Sequence, residues 1–428
     1  MRLRHRRVRS SALVSAAVMA TVAMAPAPVM ADRNRGADGG SWTSAWGAAL
    51  HHPVPPLPWT WPGWSWDGFT DQSVRQVVRV GAAGAQLRIR FSNRYGKQPL
   101  HLARATVARA GEGAAVRPGS VRELRFGERD GAVVAIGAER YSDPVRMRVR
   151  PGERLTVTLY FAAATGPVTF HELGLTTAYR AAGDRTHHTS GDAFGETSGS
   201  HYLLSDVEVR GVRNEGGVVA FGDSITDGYG STPGTDRRYP DRLGERLLAD
   251  GRRLNVVNSG ISGNALLADS PCFGDKGLTR FRHDVLDRAG ARTAVVLMGI
   301  NDIGRGGLPD SGCGGLPAVS AEQLIEGHRA LIRAAHRRGV TVVGATLTPF
   351  KGYAAYYTPR KEEVRDAVND WIRTSGEFDA VVDLDRVLAD PRPGRGDEMA
   401  PAYDSGDGLH PSDAGMAAMA AAVGEHLP

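Results

Sequence analysis

Four short motifs, in fixed order along this 428-residue chain, bring together residue types that can move an acyl group. Gly222-Asp223-Ser224 closes an apolar run and offers a hydroxyl nucleophile. Asp407-Gly-Leu-His410 supplies a base and, three residues before it, a carboxylate to hold its ring. Gly260, after Asn258-Ser259, and Asn301, in Gly299-Ile300-Asn301-Asp302, supply a backbone N–H and a side-chain amide. A nucleophile, a base oriented by an acid, and donors for a developing oxyanion are what acyl transfer from an ester requires. Taken singly, each motif has a plain structural reading, such as a turn glycine, a loop cap or an N-cap aspartate. Their joint occurrence, each after a strand or before a helix, decides for catalysis.

The elements that must position these residues can be read from hydrophobic pattern. From Val218 onward, short apolar runs (Val218–Phe221, Leu254–Val257, Thr293–Met298, Val340–Leu347, Ala380–Leu384) suit buried parallel strands. Segments of helical period alternate with them, at Tyr239–Asp250, Ala321–Arg338 and Arg360–Thr374, with Gly339 placed as a C-cap. This alternation predicts a three-layer α/β domain with a parallel sheet. Ser224, Gly260 and Asn301 then meet on one rim of the sheet, where open α/β folds bind ligands. A glycine two residues before Ser224 lets the backbone turn sharply, and Thr226 and Asp227 suit the start of a helix whose N-terminus favours negative charge.

At this level the chain resembles the SGNH (GDSL) hydrolases. Gly-Asp-Ser-Ile-Thr-Asp-Gly (222–228), Gly260, Gly-Ile-Asn-Asp (299–302) and Asp-Gly-Leu-His (407–410) are similar to the four blocks of that family, over about residues 217–428. The resemblance implies a flavodoxin-like fold. It implies Ser224 as nucleophile, Asp407 and His410 as the rest of a triad, and Gly260 and Asn301 beside the Ser224 N–H as oxyanion donors.

Residues 42–210 read differently. Gln76–Val80, Leu87–Ser92, Val145–Val149 and Leu155–Phe161 alternate apolar with polar residues between turn signals such as Asn93-Arg-Tyr-Gly96 and Pro151-Gly152. Short strands without helical period predict an antiparallel, jelly-roll-like β-sandwich accessory domain. A Gly-rich linker at 211–217 joins it to the hydrolase domain at 218–428. The pairing resembles secreted actinobacterial two-domain members of the family, which are similar to carbohydrate acetylesterases of plant cell walls.

The formal charge of +5 is carried by the first residues: five arginines precede Ser10 and no acid occurs before Asp32. Without residues 1–31, Lys+Arg falls by those five from 52 to 47, equal to Asp+Glu, which removes the electrostatic case for nucleic acid. The arginine-rich start, the apolar Ala12–Ala25 and Val29-Met30-Ala31 predict a cleaved signal peptide at 1–31, followed by a polar, disordered 32–41. Pro26 and Pro28 cut the apolar stretch short of the ~20 residues of a membrane span. Export, by a Sec or twin-arginine route, predicts an extracellular protein and a Cys272–Cys313 disulfide across the loops after Gly260 and Asn301. No histidines cluster near either cysteine, so no metal is expected, and two-step acyl transfer through a serine needs no organic cofactor.

The expected partner is an ester substrate, an acylated polysaccharide first, and the protein is expected to be a monomer. A GDSL lipase or phospholipase and a broad short-chain arylesterase are the alternative enzymes. A reading of another class makes the β domain a glycan-binding wall module. Trp59, Trp61, Trp64 and Trp66 are then candidates for a sugar platform or, equally, for a loop packed on the sandwich. Tyr353, Tyr356 and Tyr357 are candidates for the mouth of the site.

Overall fold

Gly216–Gly222, buried at every position, is the inner strand of a five-stranded parallel sheet. A strand covered on both faces needs an unbroken apolar run, hence the lack of alternation at Val218–Phe221. Leu254–Gly260 pairs on one side, with Ala291–Leu297, Thr341–Ala345 and Ala380–Val382 following on the other. Numbered along the chain these strands lie 2-1-3-4-5, the flavodoxin-like order, which opens a crevice at the carboxyl end of the first. Tyr239–Ala249 packs against Asp413–His426, and Ala321–His336 against Pro359–Thr374, as the two helical layers. Their starts follow local chemistry. Ser320 and Gln323 cap reciprocally, Thr358 accepts from Lys361 N ahead of Pro359, and Ser412 accepts from Gly415 N. Gly339 takes a φ of 66°, as a residue just past a helix end requires.

The computed structural model describes residues 40–56 and 63–427. The expected signal peptide and the polar stretch through residue 39 lie outside the described residues, as do Trp59 and Trp61.

Ahead of the parallel sheet lie two antiparallel sheets facing each other. One is built from Thr43–Gly47, Leu204–Arg210, Gly84–Ser92, Glu139–Tyr141 and Val145–Val149. The other runs Glu196–Ser198, Ala178–Ala182, Gln72–Arg79, Arg154–Phe161, Arg104–Arg109, Arg122–Glu123. Their inward residues, among them Leu87, Ile89, Phe91, Leu155, Val157, Leu159 and Phe161, form one apolar core, and the α/β residues form a second. The strand read as starting at Gln76 begins at Gln72, where alternation fails because Arg75 and Gln76 are themselves buried. Arg75 is tolerated because its guanidinium donates to Thr158 Oγ1 and to the carbonyls of Ala114 and His188.

The sandwich and the α/β layers belong to one compact unit. The parallel sheet already begins at Gly216, leaving five residues between it and Arg210. Across the seam, Arg288 of the α/β half donates to the carbonyls of Ser205 and Ala48 and lies 3.1 Å from Asp206 Oδ2. Asp206 also accepts from Ser44 Oγ at 2.6 Å and from Arg90 at 3.0 Å. Cys272 and Cys313 are joined in a disulfide and pack into the sandwich's core rather than that of the sheet they follow.

Candidate active site

Ser224 is the first residue of a single helical turn, Ser224–Asp227, set directly on the end of the inner parallel strand. Its Oγ lies 2.8 Å from His410 Nε2, and His410 Nδ1 lies 2.7 Å from Asp407 Oδ2. The other oxygen, Asp407 Oδ1, accepts the backbone N–H groups of Leu409 and His410 at 2.9 and 2.8 Å. A three-residue spacing therefore suffices: the carboxylate folds back on its own loop and is clamped on both oxygens. Partial burial opposes its ionisation, but the His410 ring and these amides outweigh it and hold Asp407 down to about 2. With Asp407 accepting at Nδ1, the proton of neutral His410 is kept there and Nε2 is left to take one from Ser224.

Glycine at 222 is needed for space, not for a sharp turn. Gly222 ends the strand and is absent from the positive-φ glycines, but a Cβ there would stand 2.0 Å from Thr226 Oγ1 and 2.8 Å from the Leu297 carbonyl oxygen. Gly260 is constrained in the same way, since a Cβ would meet Asp227 N at 2.2 Å. The helix after Ser224 is also shorter than its sequence suggests. Gly228, at φ 113°, stops it after four residues, so Asp227 lies at its last position and no helix dipole of consequence points at Ser224.

The two other expected donors differ in readiness. Asn301, buried in the helix Ile300–Arg305, has its amide fixed from both ends. Tyr356 OH donates to its Oδ1 at 2.8 Å, and one Nδ2 hydrogen goes to the Asn264 carbonyl at 3.1 Å. The second Nδ2 hydrogen has no acceptor among the described residues and remains for a ligand. Burial pushes the Tyr356 phenol above its ordinary range, so it stays a donor. The Gly260 N–H, in contrast, already donates to Asn258 Oδ1 at 2.9 Å, and can serve an oxyanion only by sharing that hydrogen. Asn258 also donates to the carbonyls of Thr226 and Asp227, tying this loop to the Ser224 turn.

Tyr229 was not singled out from sequence. It sits between Gly228 and Gly230, both at positive φ, is 38% exposed, and has its ring centroid 4.3 Å from that of His410. An aromatic flanked by two glycines directly after Gly-Asp-Ser-Ile-Thr-Asp was the available signal. Of the tyrosines read as lining the mouth, Tyr356 instead supports Asn301 and packs edge-on against Tyr353 at 5.0 Å. Trp64 is buried in the sandwich core, stacked on Tyr202, which removes it from any sugar platform; Trp66 is exposed.

Two buried carboxylates border the site. Asp302 accepts from Leu266 N and Leu267 N, and Asp223 Oδ1 from Ile225 N, while Asp223 Oδ2 is buried with no hydrogen-bond partner among the described residues. Desolvation raises both, Asp302 to about 6 and Asp223, with Asp302 near it, to about 7. No group of side chains among the described residues has the make-up of a metal site.

A flavodoxin-like sheet carrying a Ser–His–Asp relay at the carboxyl end of its first strand defines an α/β serine-hydrolase architecture. Residues 220–418 match the GDSL-like lipase/acylhydrolase family, and this region is a carboxylic ester hydrolase domain of the SGNH/GDSL type. No curated protein matches it. Among solved structures it is similar to a lipase/acylhydrolase from Enterococcus faecalis, at 21% identity over 49% of this chain and 93% of that one, with a TM-score of 0.37. A GDSL-like lipase from Bacteroides thetaiotaomicron shows 21% identity over 50% of this chain and 89% of that one, at a TM-score of 0.34. An alpha/beta hydrolase enzyme from the metagenome of Lake Arreo, Spain, shows 22% identity over 50% and 94%, at 0.36.

Proposed function

We propose that this esterase removes acetyl or other short acyl groups from an extracellular polysaccharide through a Ser224 acyl-enzyme. The observation that carries the mechanism is the unbroken relay Ser224 Oγ–His410 Nε2 and His410 Nδ1–Asp407 Oδ2. His410 takes the Ser224 proton as Oγ attacks the ester carbonyl. The oxyanion rests on the Ser224 N–H, the free Asn301 amide hydrogen and a shared Gly260 N–H. His410 then protonates the departing alcohol, and water repeats the steps to release the acid.

The exposed Tyr229 ring beside His410 supports the choice of polysaccharide, since a flat aromatic at an open site can carry a sugar ring next to the ester being cut. Secretion as a processed monomer is part of the reading, supported by the N-terminal pattern and the disulfide. No helix of the described residues is long and apolar enough to cross a membrane. The sandwich at 42–210, with the hydrolase domain at 218–428, serves here as scaffold rather than as the main glycan-binding module.

The test is acid release from acetylated xylan, acetylated pectin and nitrophenyl esters of graded chain length, by the wild type and Ser224→Ala. Acetate from polysaccharide, lost in the variant, is expected. Preference for long chains would move the assignment to lipase, and activity surviving in Ser224→Ala would overturn the mechanism.

A further inference from the structure

His171, from the strand Phe170–His171 of the N-terminal half, is fully enclosed and reaches the underside of the Ser224 turn. Its Nδ1 lies 2.7 Å from the Ala49 carbonyl oxygen. Its Nε2 lies 3.1 Å from Asp227 Oδ1 and 3.2 Å from the Leu173 carbonyl oxygen. Oxygen acceptors thus face both ring nitrogens, and a neutral imidazole would turn a lone pair on one of them whichever tautomer it chose. Only the imidazolium satisfies both sides. Asp227 makes the same demand independently. Its Oδ1 is buried with no hydrogen bond of good geometry among the described residues, so the ionic contact from His171 is what compensates it.

The remaining oxygen of that carboxylate leads to the oxyanion loop. Asp227 Oδ2 accepts both the N–H and the hydroxyl of Ser262, at 2.9 and 3.0 Å, two residues beyond Gly260. Resting on the reading of Ser224 and Gly260 given above, we propose that His171 is a positioning residue: as a buried imidazolium supplied by the N-terminal half, it fixes Asp227 and through it the register of the Gly260 loop against Ser224. The N-terminal half is then part of the catalytic apparatus and not only a neighbour of it.

The surroundings keep the charge on this ring. His51 and His201, from the sandwich side, are fully buried; desolvation first and His171 next push His51 down to about 3 and His201 well below its usual range, so both stay neutral. Arg238, at the start of Tyr239–Ala249, opposes a charge on His171, but it is engaged by Asp241 at 2.7 and 3.0 Å. Burial works against the His171 proton and Asp227 outweighs it, leaving the ring more basic than free histidine. The strut is present below that raised value and lost as pH climbs through it.

The experiment measures kcat and KM on nitrophenyl acetate against pH for the full chain, His171→Gln, Asp227→Asn and the double variant, per mole of Ser224 titrated with a phosphonate. Near neutrality kcat should fall about 10- to 100-fold in each single variant with KM little changed. The double should be no worse than the singles, because both remove one interaction. The wild type's alkaline decline should disappear in His171→Gln. Wild-type kcat and pH profile in His171→Gln, or losses that multiply in the double variant, would overturn the proposal. A measurement that needs no variant guards against misfolding: ring nitrogen spectra of the wild type, followed as pH rises, should show one buried imidazolium that keeps both nitrogens protonated after the exposed histidines have lost their protons. A wild type in which no histidine outlasts the exposed ones would overturn the proposal. Failure of the catalytic reading itself would appear separately, as activity in Ser224→Ala.

Discussion

Asp206 and Arg75 in the sandwich and Asp223 at the edge of the parallel sheet are all charged groups taken out of water, but their hydrogen bonding is completed differently. Asp206 in the sandwich is closed on both oxygens by Ser44, Arg90 and Arg288. Arg75 is closed by a hydroxyl and main-chain carbonyls. At the carboxyl edge of the parallel sheet, Asp223 keeps an unpartnered oxygen, Asn301 keeps a free amide hydrogen, and Ser224 stays close enough to the surface for a substrate to reach. Buried polar groups that are fully paired hold a fold together. Those left open at a cleft are available to a ligand or a reaction, and their protonation is displaced as a result. The seam between the halves follows the first pattern.

The largest effect should come from breaking the paired side. Arg288→Ala strands part of the Asp206 charge and the two main-chain carbonyls of Ser205 and Ala48 at the seam, and should cost about 3–5 kcal/mol in urea unfolding. A loss below about 1 kcal/mol would show that Arg90 alone satisfies Asp206. Next comes the covalent tie. Reduction of Cys272–Cys313, 41 residues apart, should cost about 3–4 kcal/mol in the chain-entropy account. It should also lower kcat at temperatures where the protein stays folded. The reason is a short path: Asn264 holds the Phe273 carbonyl beside Cys272, and its own carbonyl receives Asn301. Full activity in reduced, folded protein would confine the bridge to stability.

On the open side, Asn301→Ala should lower kcat by about 10²–10³-fold with KM little changed, as loss of one oxyanion donor does. Tyr356→Phe leaves the donor in place but frees its amide to rotate, and should cost about tenfold or less. If the two variants prove equally damaging, Tyr356 is doing more than orienting the amide.

This contrast also marks what could be read from the chain before its structure. The four motifs and the apolar runs before them were legible because parallel strands buried on both faces and residues at strand ends leave local signatures. Ser224, His410 and Asp407 duly come within hydrogen-bond distance of one another. The sandwich was legible as alternation, except where Arg75 and Gln76 face inward and break it. What stayed hidden depends on contacts across the chain. Nothing near Asp227 indicates that His171 lies against it, and nothing near Asn301 that Tyr356 holds its amide. The glycine at 222 was legible as a requirement, yet its reason, the approach of Thr226 and Leu297, involves a second strand.

The effect that separates the two kinds of buried acid most cleanly is in the pH dependence of stability. Asp407 is held at about 2, below its unfolded value near 4. Its contribution is complete above pH ~4 and is lost as pH falls through about 2. Asp223, raised to about 7 chiefly by desolvation, has the opposite sign. The unfolded chain releases this proton near pH 4 and the folded chain only near 7, so stability falls as pH rises across that window and then levels off. Asp223→Asn removes the titration. Its stability relative to wild type should therefore rise by roughly 2–3 kcal/mol between pH 5 and pH 8 in urea unfolding, at about 1.4 kcal/mol per pH unit. An unchanged difference would mean that Asp223 ionises normally, with water or a neighbour reaching its open oxygen, and the contrast between paired sandwich and open sheet edge would fail at its most buried point.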